Sequence, residues 1–215
     1  REFNVTQNAD WTNAALDRLT RMFERDKNHP SVIMLSVANE AATHEERARE
    51  YFADVIDTAR KTTSLPITII EFSTADVSLV GDLVDVIGIN RYYGWYYEHG
   101  DTSVIKDQMI TEIGKWRKKC GKPVFVAEFG ADTIEGLHSL PSESFSEEFQ
   151  MEYLHENCEA FDSAEGCIGE HVWNFADFKT KQGLTRVRGN RKGVFTKDRQ
   201  PKLAAHFLRQ RWANK

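Results

Sequence analysis

Segments of helical and strand-like pattern alternate along this chain, and that alternation restricts its fold more than any other feature. Apolar residues recur at helical spacing in five segments, at residues 11–27, 43–62, 104–119, 146–161 and 201–212. Five short apolar runs between turn residues are typical of strands, at residues 32–38, 67–71, 84–89, 124–128 and 167–173. This succession predicts an α/β protein with a parallel sheet covered by helices.

Polar and aromatic residues follow the carboxyl end of each predicted strand, which is where a (β/α)8 barrel or an open doubly wound sheet forms its ligand site. The sequence has no glycine-rich phosphate loop that would support a nucleotide-binding sheet. A closed barrel needs eight strands and about 250 residues. A chain of 215 residues with five predicted strands is therefore about three strands short. Its length predicts a single globular unit.

Composition argues against several other classes of protein. A net charge of −5 with no block of basic residues gives little support to nucleic-acid binding. The three cysteines show no CxxC spacing and there is no HExxH pair, so we predict neither a disulfide framework nor a metal site. No apolar run is long enough to span a membrane, and residues 1–4 show no signal segment. These features predict a soluble chain and leave its compartment open.

Two glutamates, Glu40 and Glu128, each stand where an apolar run stops. The run before Glu40 predicts a strand that is buried on both faces. An acidic side chain at the end of a buried strand is costly to desolvate without a partner or a function, and a pair of carboxylates is the minimal equipment for glycoside hydrolysis. Asn39 adds an amide that suits hydroxyl recognition, and Gly130 leaves room near Glu128. Alternatively, both glutamates are structural carboxylates in salt bridges.

The ends of the other strands carry side chains that suit a sugar. Glu71 ends the second predicted strand, the aromatic segment 90–97 follows the third, and Trp173 follows the fifth. Aromatic faces stack on the apolar face of a pyranose, while amides, hydroxyls and carboxylates bind its rim. The aromatic segment would also suit a surface loop or a protein interface. Asp132 and Asp177 follow strand ends, where they would orient loops or contact substrate.

Five groups of residues, in this order and spacing, closely resemble the catalytic barrel of the β-glucuronidases in glycoside hydrolase family 2. They are Asn28-His-Pro-Ser-Val-Ile-Met with Ala38-Asn39-Glu40, Asn90-Arg-Tyr-Tyr-Gly-Trp-Tyr96, Ala127-Glu128-Phe-Gly-Ala-Asp132, Val172-Trp-Asn-Phe-Ala-Asp-Phe178 and Gly189-Asn-Arg-Lys-Gly193. The resemblance extends from about Trp11 to Trp212. It implies a (β/α)8 TIM barrel of which this chain holds only the last five strands and helices, with residues 1–215 forming a C-terminal portion of the catalytic domain.

The resemblance implies retaining hydrolysis by double displacement. Glu40 matches the general acid/base, and Glu128 matches the nucleophile that forms a glycosyl-enzyme intermediate. Tyr92 matches a tyrosine beside the nucleophile, whose hydroxyl would hold that carboxylate charged and aimed. Asn39 matches the residue that binds the sugar 2-hydroxyl. Trp173 is expected to contact the sugar.

Substrate specificity is implied by the last group of matching residues. Asn190 and Lys192 match the pair that recognises the C6 carboxylate of a glucuronide, and Tyr96 and Arg186 match further residues near that carboxylate. A carboxylate removed from water needs a cation and hydrogen-bond donors, whereas a neutral galactose or mannose would leave Lys192 unpaired. The residues alone also allow a solvated basic turn at this place.

The resemblance thus implies an exo-acting β-glucuronidase that hydrolyses small-molecule or oligosaccharide β-glucuronides, needs no cofactor and binds neither nucleic acid nor membrane. It also implies that amino-terminal domains and three barrel strands are missing from this chain, and that the full-length enzyme is a homo-oligomer. Leu35 and Phe129 depart from the tryptophan and tyrosine that are common in the family. Two alternatives stay open: another family 2 exoglycosidase, either a β-galactosidase or a β-mannosidase, and an inactive carbohydrate-binding or assembly fragment.

Overall fold

A computed structural model describes residues 9–213. The prediction that residues 1–4 show no signal segment concerns residues outside this range. The α-helices in this range are α1 Ala9–Asp26, α2 Glu46–Thr62, α3 Ile105–Cys120, α4 Glu147–Ser163 and α5 Leu203–Ala213. The strands are β1 Leu35–Asn39, β2 Ile67–Glu71, β3 Val86–Asn90, β4 Val124–Phe129 and β5 Cys167–Val172. Short 3-10 helices occupy Gly81–Leu83 and Thr102–Val104.

Each predicted helix and strand is present, with shifts at several ends. β1 begins at Leu35 rather than at residue 32 because the chain still turns after Pro30, where the Val32 amide donates to the His29 carbonyl over 3.0 Å. α2 begins at Glu46 rather than at residue 43. The sequence therefore predicts which helices and strands are present better than it predicts where each one begins.

The strands form one sheet in the order β1-β2-β3-β4-β5. β1 pairs with β2 in parallel, and β2 pairs with β3 in parallel, with Thr68 opposite Val86 and Glu71 opposite Ile89. The carboxyl ends of these strands consequently lie at the same edge of the sheet. A parallel sheet with intervening helices confirms the predicted α/β class and is consistent with part of a (β/α)8 barrel.

Burial differs sharply between the middle and outer strands. β2 and β3 are buried along their whole length. In β1 only Leu35 is buried, while Ser36 and Asn39 are exposed, and in β5 the Ile168 side chain is 57% exposed. The prediction that the strand before Glu40 is buried on both faces is therefore wrong. Its reason is topological: among the described residues β1 and β5 end the strand order, so each has a strand neighbour on one side only.

The described residues divide into two compact units. One unit contains the residues up to Asn90 together with 112–125 and 165–168, and the other contains 91–111, 126–164 and the residues from 169 onward. In the first unit α2 packs against α1, β1 and β2. Its apolar face buries Phe52, Val55 and Ile56, whose spacing of three and four positions is that of an amphipathic helix.

In the second unit α4 packs against α5. Ser146 caps α4 by accepting a hydrogen bond from the Phe149 amide over 3.1 Å, which explains why this helix begins where the sequence predicts. Arg211 of α5 donates paired hydrogen bonds to Asp162 at 2.8 and 2.9 Å and to Glu170 at 2.6 and 2.7 Å. Within residues 9–213 no helix is both long enough and apolar enough to cross a membrane.

Candidate active site

Glu40 follows β1 directly and has an unusual backbone conformation. Between the pairs Ser36–Thr68 and Asn39–Ile70 the first strand advances three residues while its partner advances two, so β1 contains a bulge just before Glu40. The Glu40 amide donates to the Ile70 carbonyl over 2.9 Å, and its φ of 51° lies in the left-handed region. A bulge redirects the side chain that follows it. The Glu40 carboxylate is therefore aimed by irregular backbone at the end of the strand.

Asn90, the last residue of β3, is a hydrogen-bond partner of Glu40. Its Nδ2 donates to Oε1 of Glu40 over 3.0 Å and to Oδ1 of Asn39 over 3.2 Å. Asn90 is buried, so its amide is a fixed donor for both neighbours. Sequence reasoning placed Asn90 in the polar and aromatic segment that follows the third strand, but gave it no role of its own. The contact with Glu40 joins the ends of two strands that are not adjacent in the sheet, which the sequence does not show.

Glu71, which also ends a strand, is held in a buried hydrogen-bond network. Its carboxylate is fully buried and accepts from the Thr43 hydroxyl over 2.5 Å and from the Ser78 hydroxyl over 2.7 Å. The Thr43 carbonyl in turn accepts from the Leu79 amide over 2.9 Å. These bonds anchor the segment that follows Glu40 to the segment that follows β2.

Glu128, near the end of β4, is held by the aromatic segment that follows β3. The Tyr92 hydroxyl donates to Oε2 of Glu128 over 2.7 Å, and the Arg91 amide donates to the Glu128 main-chain carbonyl over 3.0 Å. Burial raises the pKa of Tyr92 far above its usual value, and the charge of Glu128 raises it further. Tyr92 therefore stays protonated and acts as a hydrogen-bond donor to this carboxylate.

The aromatic segment forms a packed cluster in which some rings remain accessible. Gly94, with φ of 76°, makes the turn that brings Tyr96 within 5.0 Å of Tyr92 in an edge-to-face contact. Trp95 is fully buried against Phe145. Tyr96 and the tyrosine that follows it in the chain are exposed. Part of this segment therefore belongs to the core of the second unit, and part of it presents rings to solvent.

Lys192 is fully buried beside this aromatic cluster. Its ammonium group lies 5.7 Å from the ring centre of Tyr92, 5.0 Å from that of Trp95 and 4.8 Å from that of Tyr96. The ammonium group also forms an ion pair with Oδ2 of Asp132. Burial lowers the pKa of Lys192 to about 8, although the charge of Asp132 opposes that change. The alternative interpretation of this residue as part of a solvated basic turn is therefore wrong.

Asp132 joins Lys192 to the other residues that the resemblance connected with a substrate carboxylate. Nη1 of Arg186 donates to Oδ2 of Asp132 over 3.2 Å, and Nη2 of Arg186 donates to the Tyr96 hydroxyl. The Asn190 side-chain oxygen accepts from the Lys192 amide over 3.1 Å. Sequence reasoning gave Asp132 only a general role in the loop. Its position four residues after Glu128 was the available signal.

Trp173 follows β5 and packs edge-to-face on Phe178 at 6.2 Å between ring centres. Its amide donates to the Phe129 carbonyl over 2.8 Å. A Cβ atom added to Gly130 would collide with the Trp173 carbonyl oxygen, so a glycine is required there. The next amide, that of Asn174, donates to the Lys192 carbonyl over 3.1 Å. These bonds connect the Trp173 backbone to both the Glu128 strand and the Lys192 segment.

Asn39 and Glu40 belong to the first compact unit. The other seven predicted site residues belong to the second unit: Tyr92, Tyr96, Glu128, Trp173, Arg186, Asn190 and Lys192. Hydrogen bonds join Tyr92 to Glu128, Tyr96 to Arg186, and Asn190 to Lys192. In the described part of the chain no group of three or more His, Cys, Asp or Glu residues is arranged to hold a metal ion.

Comparison with known families gives a match over almost the entire chain. The family described as "Glycosyl hydrolases family 2, TIM barrel domain" matches residues 2–215. The chain belongs to this family. The resemblance inferred from the sequence is thereby confirmed, and the parallel sheet is consistent with part of the TIM barrel that the family name describes.

Curated members of family 2 show the same relationship. A protein of Paenibacillus borealis named "Beta-glucuronidase" is 49% identical over 197 residues, which are 91% of this chain and 33% of that protein. The human protein of that name is 43% identical over 90% of this chain and 30% of its own length. The chain therefore spans about one third of the length of the curated relatives it matches.

Solved structures of the family are also similar. The β-D-glucuronidase of Dictyoglomus thermophilum has a TM-score of 0.92 and 48% identity, covering 96% of this chain and 36% of that one. A Bifidobacterium dentium β-glucuronidase complexed with coumarin-3-O-glucuronide has a TM-score of 0.90 and 40% identity, covering 97% of this chain and 34% of its own.

Proposed function

We propose that this chain carries the catalytic carboxylates and the uronate-recognition residues of a retaining exo-β-glucuronidase. The observation that carries the proposal is a buried cationic cluster beside the proposed nucleophile. Lys192 packs on the rings of Tyr92 and Tyr96, and Tyr92 donates to Glu128. A buried ammonium near a carboxylate nucleophile, with a guanidinium bound to the same aspartate as that ammonium, suits an anionic sugar better than a neutral one.

In the first proposed step Glu128 attacks the anomeric carbon of the glucuronide. The bond to the aglycone oxygen breaks while Glu40 gives that oxygen a proton, and a glycosyl ester to Glu128 forms. In the second step Glu40 removes a proton from water, the water oxygen bonds to the anomeric carbon, and Glu128 leaves. Two inversions give net retention. A retaining enzyme of this kind has its carboxyl groups about 5–5.5 Å apart.

The neighbouring groups have defined roles in this mechanism. The Tyr92 hydroxyl stabilises Glu128 as an anion and orients it. Asn39 binds the sugar 2-hydroxyl, and its side-chain oxygen is held by Asn90. Trp173 provides an aromatic face for the sugar ring. Hydrogen bonds to the 2-hydroxyl that strengthen as the ring flattens favour the transition state over the bound substrate.

Recognition of the C6 carboxylate is assigned to Lys192, Arg186, Asn190 and Tyr96. A carboxylate that leaves water needs both charge and directed donors, and these four residues offer an ammonium, a guanidinium, an amide and a hydroxyl. None of these four residues is assigned to the aglycone, so the proposed substrates include both small-molecule and oligosaccharide β-glucuronides. The proposed reaction needs no cofactor.

The proposed activity belongs to a longer protein. Because the chain spans about one third of its curated relatives, we propose that residues 1–215 are a C-terminal portion of the catalytic barrel. The remaining strands and the amino-terminal domains would complete it, and the whole protein would assemble as a homo-oligomer. The exposed outer strands β1 and β5 support this proposal, because uncovered strand edges pair readily with further strands.

The first test measures hydrolysis of 4-nitrophenyl β-D-glucuronide, β-D-galactoside and β-D-mannoside by the full-length protein that contains this chain. We expect the glucuronide to be strongly preferred, and Lys192→Ala to lower its kcat/KM by about 100-fold or more. Unchanged glucuronide turnover in that variant would refute the carboxylate-recognition role. A preference for the galactoside or the mannoside would favour another family 2 exoglycosidase.

A second test separates the roles of the two glutamates by adding azide to alanine variants. Glu128→Ala is expected to give an α-glucuronosyl azide, because azide then attacks the face that the nucleophile occupied. Glu40→Ala is expected to give the β-azide, because azide intercepts the glycosyl-enzyme intermediate. If Glu128→Ala gave the β-azide and Glu40→Ala gave the α-azide, the two roles would have to be exchanged.

Absence of hydrolysis by the wild-type full-length protein would favour the carbohydrate-binding or assembly alternative.

A further inference from the structure

Asp132 is fully buried and holds both cations of the proposed uronate site. Its Oδ2 meets the ammonium of Lys192 and, at 3.2 Å, Nη1 of Arg186. Its Oδ1 accepts from the Arg191 amide over 2.6 Å. The carboxylate is therefore fixed by main chain on one oxygen and by two positive charges on the other. Such an arrangement preorganises the two cations.

The charges in this cluster can be counted. Lys192 and Arg186 contribute two positive charges, and Asp132 contributes one negative charge. The guanidinium of Arg191 adds no unmatched charge, because it pairs with Glu135 at 2.7 Å and with Asp177 at 3.1 Å. Lys192, Arg186 and Asp132 together therefore carry one net positive charge.

We propose that Asp132 is a positioning and specificity-determining residue: it holds Lys192 and Arg186 together and leaves them one net positive charge for one carboxylate of the substrate. This proposal rests on the proposed β-glucuronidase function and deepens it. A neutral sugar would leave that positive charge unmatched. A sugar acid with one carboxylate matches it.

Lys192 has no exposed surface, and its neighbours fix its ammonium group. The ring of Tyr96 lies 4.8 Å from that group, and the partly exposed Arg186 binds the same Asp132 oxygen as Lys192. Asp132 keeps the lysine paired and favours its protonated form, because the charge of Asp132 is the strongest influence that opposes the effect of burial on the lysine pKa.

The other groups that act on Lys192 come from several segments. Arg186 lowers the pKa of the lysine and Glu128 raises it. The rings of Tyr92, Trp95 and Tyr96 face its ammonium group. Removing the charge of Asp132 leaves Glu128 as the one anion among these neighbours. The lysine should then lose its proton at a lower pH.

The experiment compares wild-type full-length protein with Asp132→Asn and Asp132→Glu, using pH profiles of kcat/KM for 4-nitrophenyl β-D-glucuronide and for the galactoside. For Asp132→Asn we expect KM for the glucuronide to rise about tenfold or more. We also expect the alkaline fall in the glucuronide-to-galactoside ratio of kcat/KM to begin about one pH unit lower, because this ratio cancels the pH dependence that both substrates share. Inhibition by D-glucaro-1,5-lactone should weaken in parallel.

Asp132→Glu keeps the charge and should return the fall of this ratio to the wild-type pH. Glu170→Gln is the matched control, because Glu170 forms a largely buried ion pair with Arg211 at 2.6 Å, and it should leave the ratio profile in place. An unmoved ratio profile and an unchanged KM in folded Asp132→Asn would overturn the role of Asp132. If that variant does not fold, the outcome of Asp132→Glu decides: a ratio profile displaced by as much as one pH unit refutes the proposal. Failure of the wild-type protein to hydrolyse the glucuronide would instead refute the proposed function.

Discussion

The Tyr92 hydroxyl donates a hydrogen bond to Oε2 of Glu128 over 2.7 Å, and its ring lies 5.7 Å from the ammonium group of Lys192. One tyrosine thus contacts the proposed nucleophile with its polar end and the proposed uronate site with its face. Changes to this tyrosine can separate the two tasks, because phenylalanine removes only the hydroxyl.

Tyr92→Phe is expected to lower kcat/KM by about 100-fold, since loss of one preorganised donor to a reacting anion typically has an effect of that order. The loss should be similar for the glucuronide and the galactoside because the ring that faces Lys192 remains. Tyr97→Phe, at an exposed position in the same segment, is the control and should change little. A loss confined to the glucuronide would contradict this role for the hydroxyl.

Selectivity for the uronate should depend on pH. A lysine binds a carboxylate when it is protonated, and burial lowers the pKa of Lys192 to about 8. Below that pH the lysine is charged; above it the charge is lost. The ratio of kcat/KM for the glucuronide to that for the galactoside should therefore fall about tenfold per pH unit above 8. A ratio that stays constant between pH 7 and 10 would show that the charge of Lys192 does not contribute.

Gly130→Ala tests the close approach between the Glu128 strand and Trp173. The new Cβ would meet the Trp173 carbonyl oxygen, which is backbone and has little freedom to move. We expect a loss of about 3 kcal/mol in the free energy of unfolding, measured by urea denaturation. Gly114→Ala in α3 is the matched control: nothing lies within 4 Å of its added Cβ, and the variant should gain up to about 1 kcal/mol. Equal effects at the two positions would contradict the contact.

Thr43→Val tests the anchor behind Glu40. The change keeps the shape of the side chain and removes the hydroxyl that donates to Glu71 over 2.5 Å. Because Glu71 is fully buried, the free energy of unfolding should fall by about 2 kcal/mol. Thr62→Val, where the hydroxyl bonds the Thr58 carbonyl on a half-buried helix end, should cost no more than about 0.5 kcal/mol. The same denaturation measurement serves both variants.

The fold was predictable from the sequence because its elements have strong local signals. The apolar run of β2 and the capping serine of α4 placed both elements within a residue or two of where they are. Burial of β1 was not predictable in this way. Whether an apolar strand is covered depends on the strands beside it, and Ile33 is exposed although its neighbours in the sequence are apolar.

The residues of the candidate site were predictable from the sequence, but the contacts between them were not. Glu128, Lys192 and Tyr92 stand in recognisable motifs. The pairing of Lys192 with Asp132 joins residues that are 60 positions apart. Neither periodicity nor turn chemistry carries that information. The same holds for Asn90 and Glu40, which meet across 50 positions.

The buried ion pair of Lys192 and Asp132 has a consequence for how such a site can evolve. Losing the lysine alone removes the buried cation that pairs with Asp132 and leaves Arg186 to neutralise it, and losing the aspartate alone removes the anion that holds the lysine, so either first step carries a penalty in stability or activity. A lineage that drifts towards neutral sugars must therefore change both positions together or pass through an impaired intermediate. We expect this mutual dependence to make preference for acidic sugars a trait that is hard to lose by single substitutions.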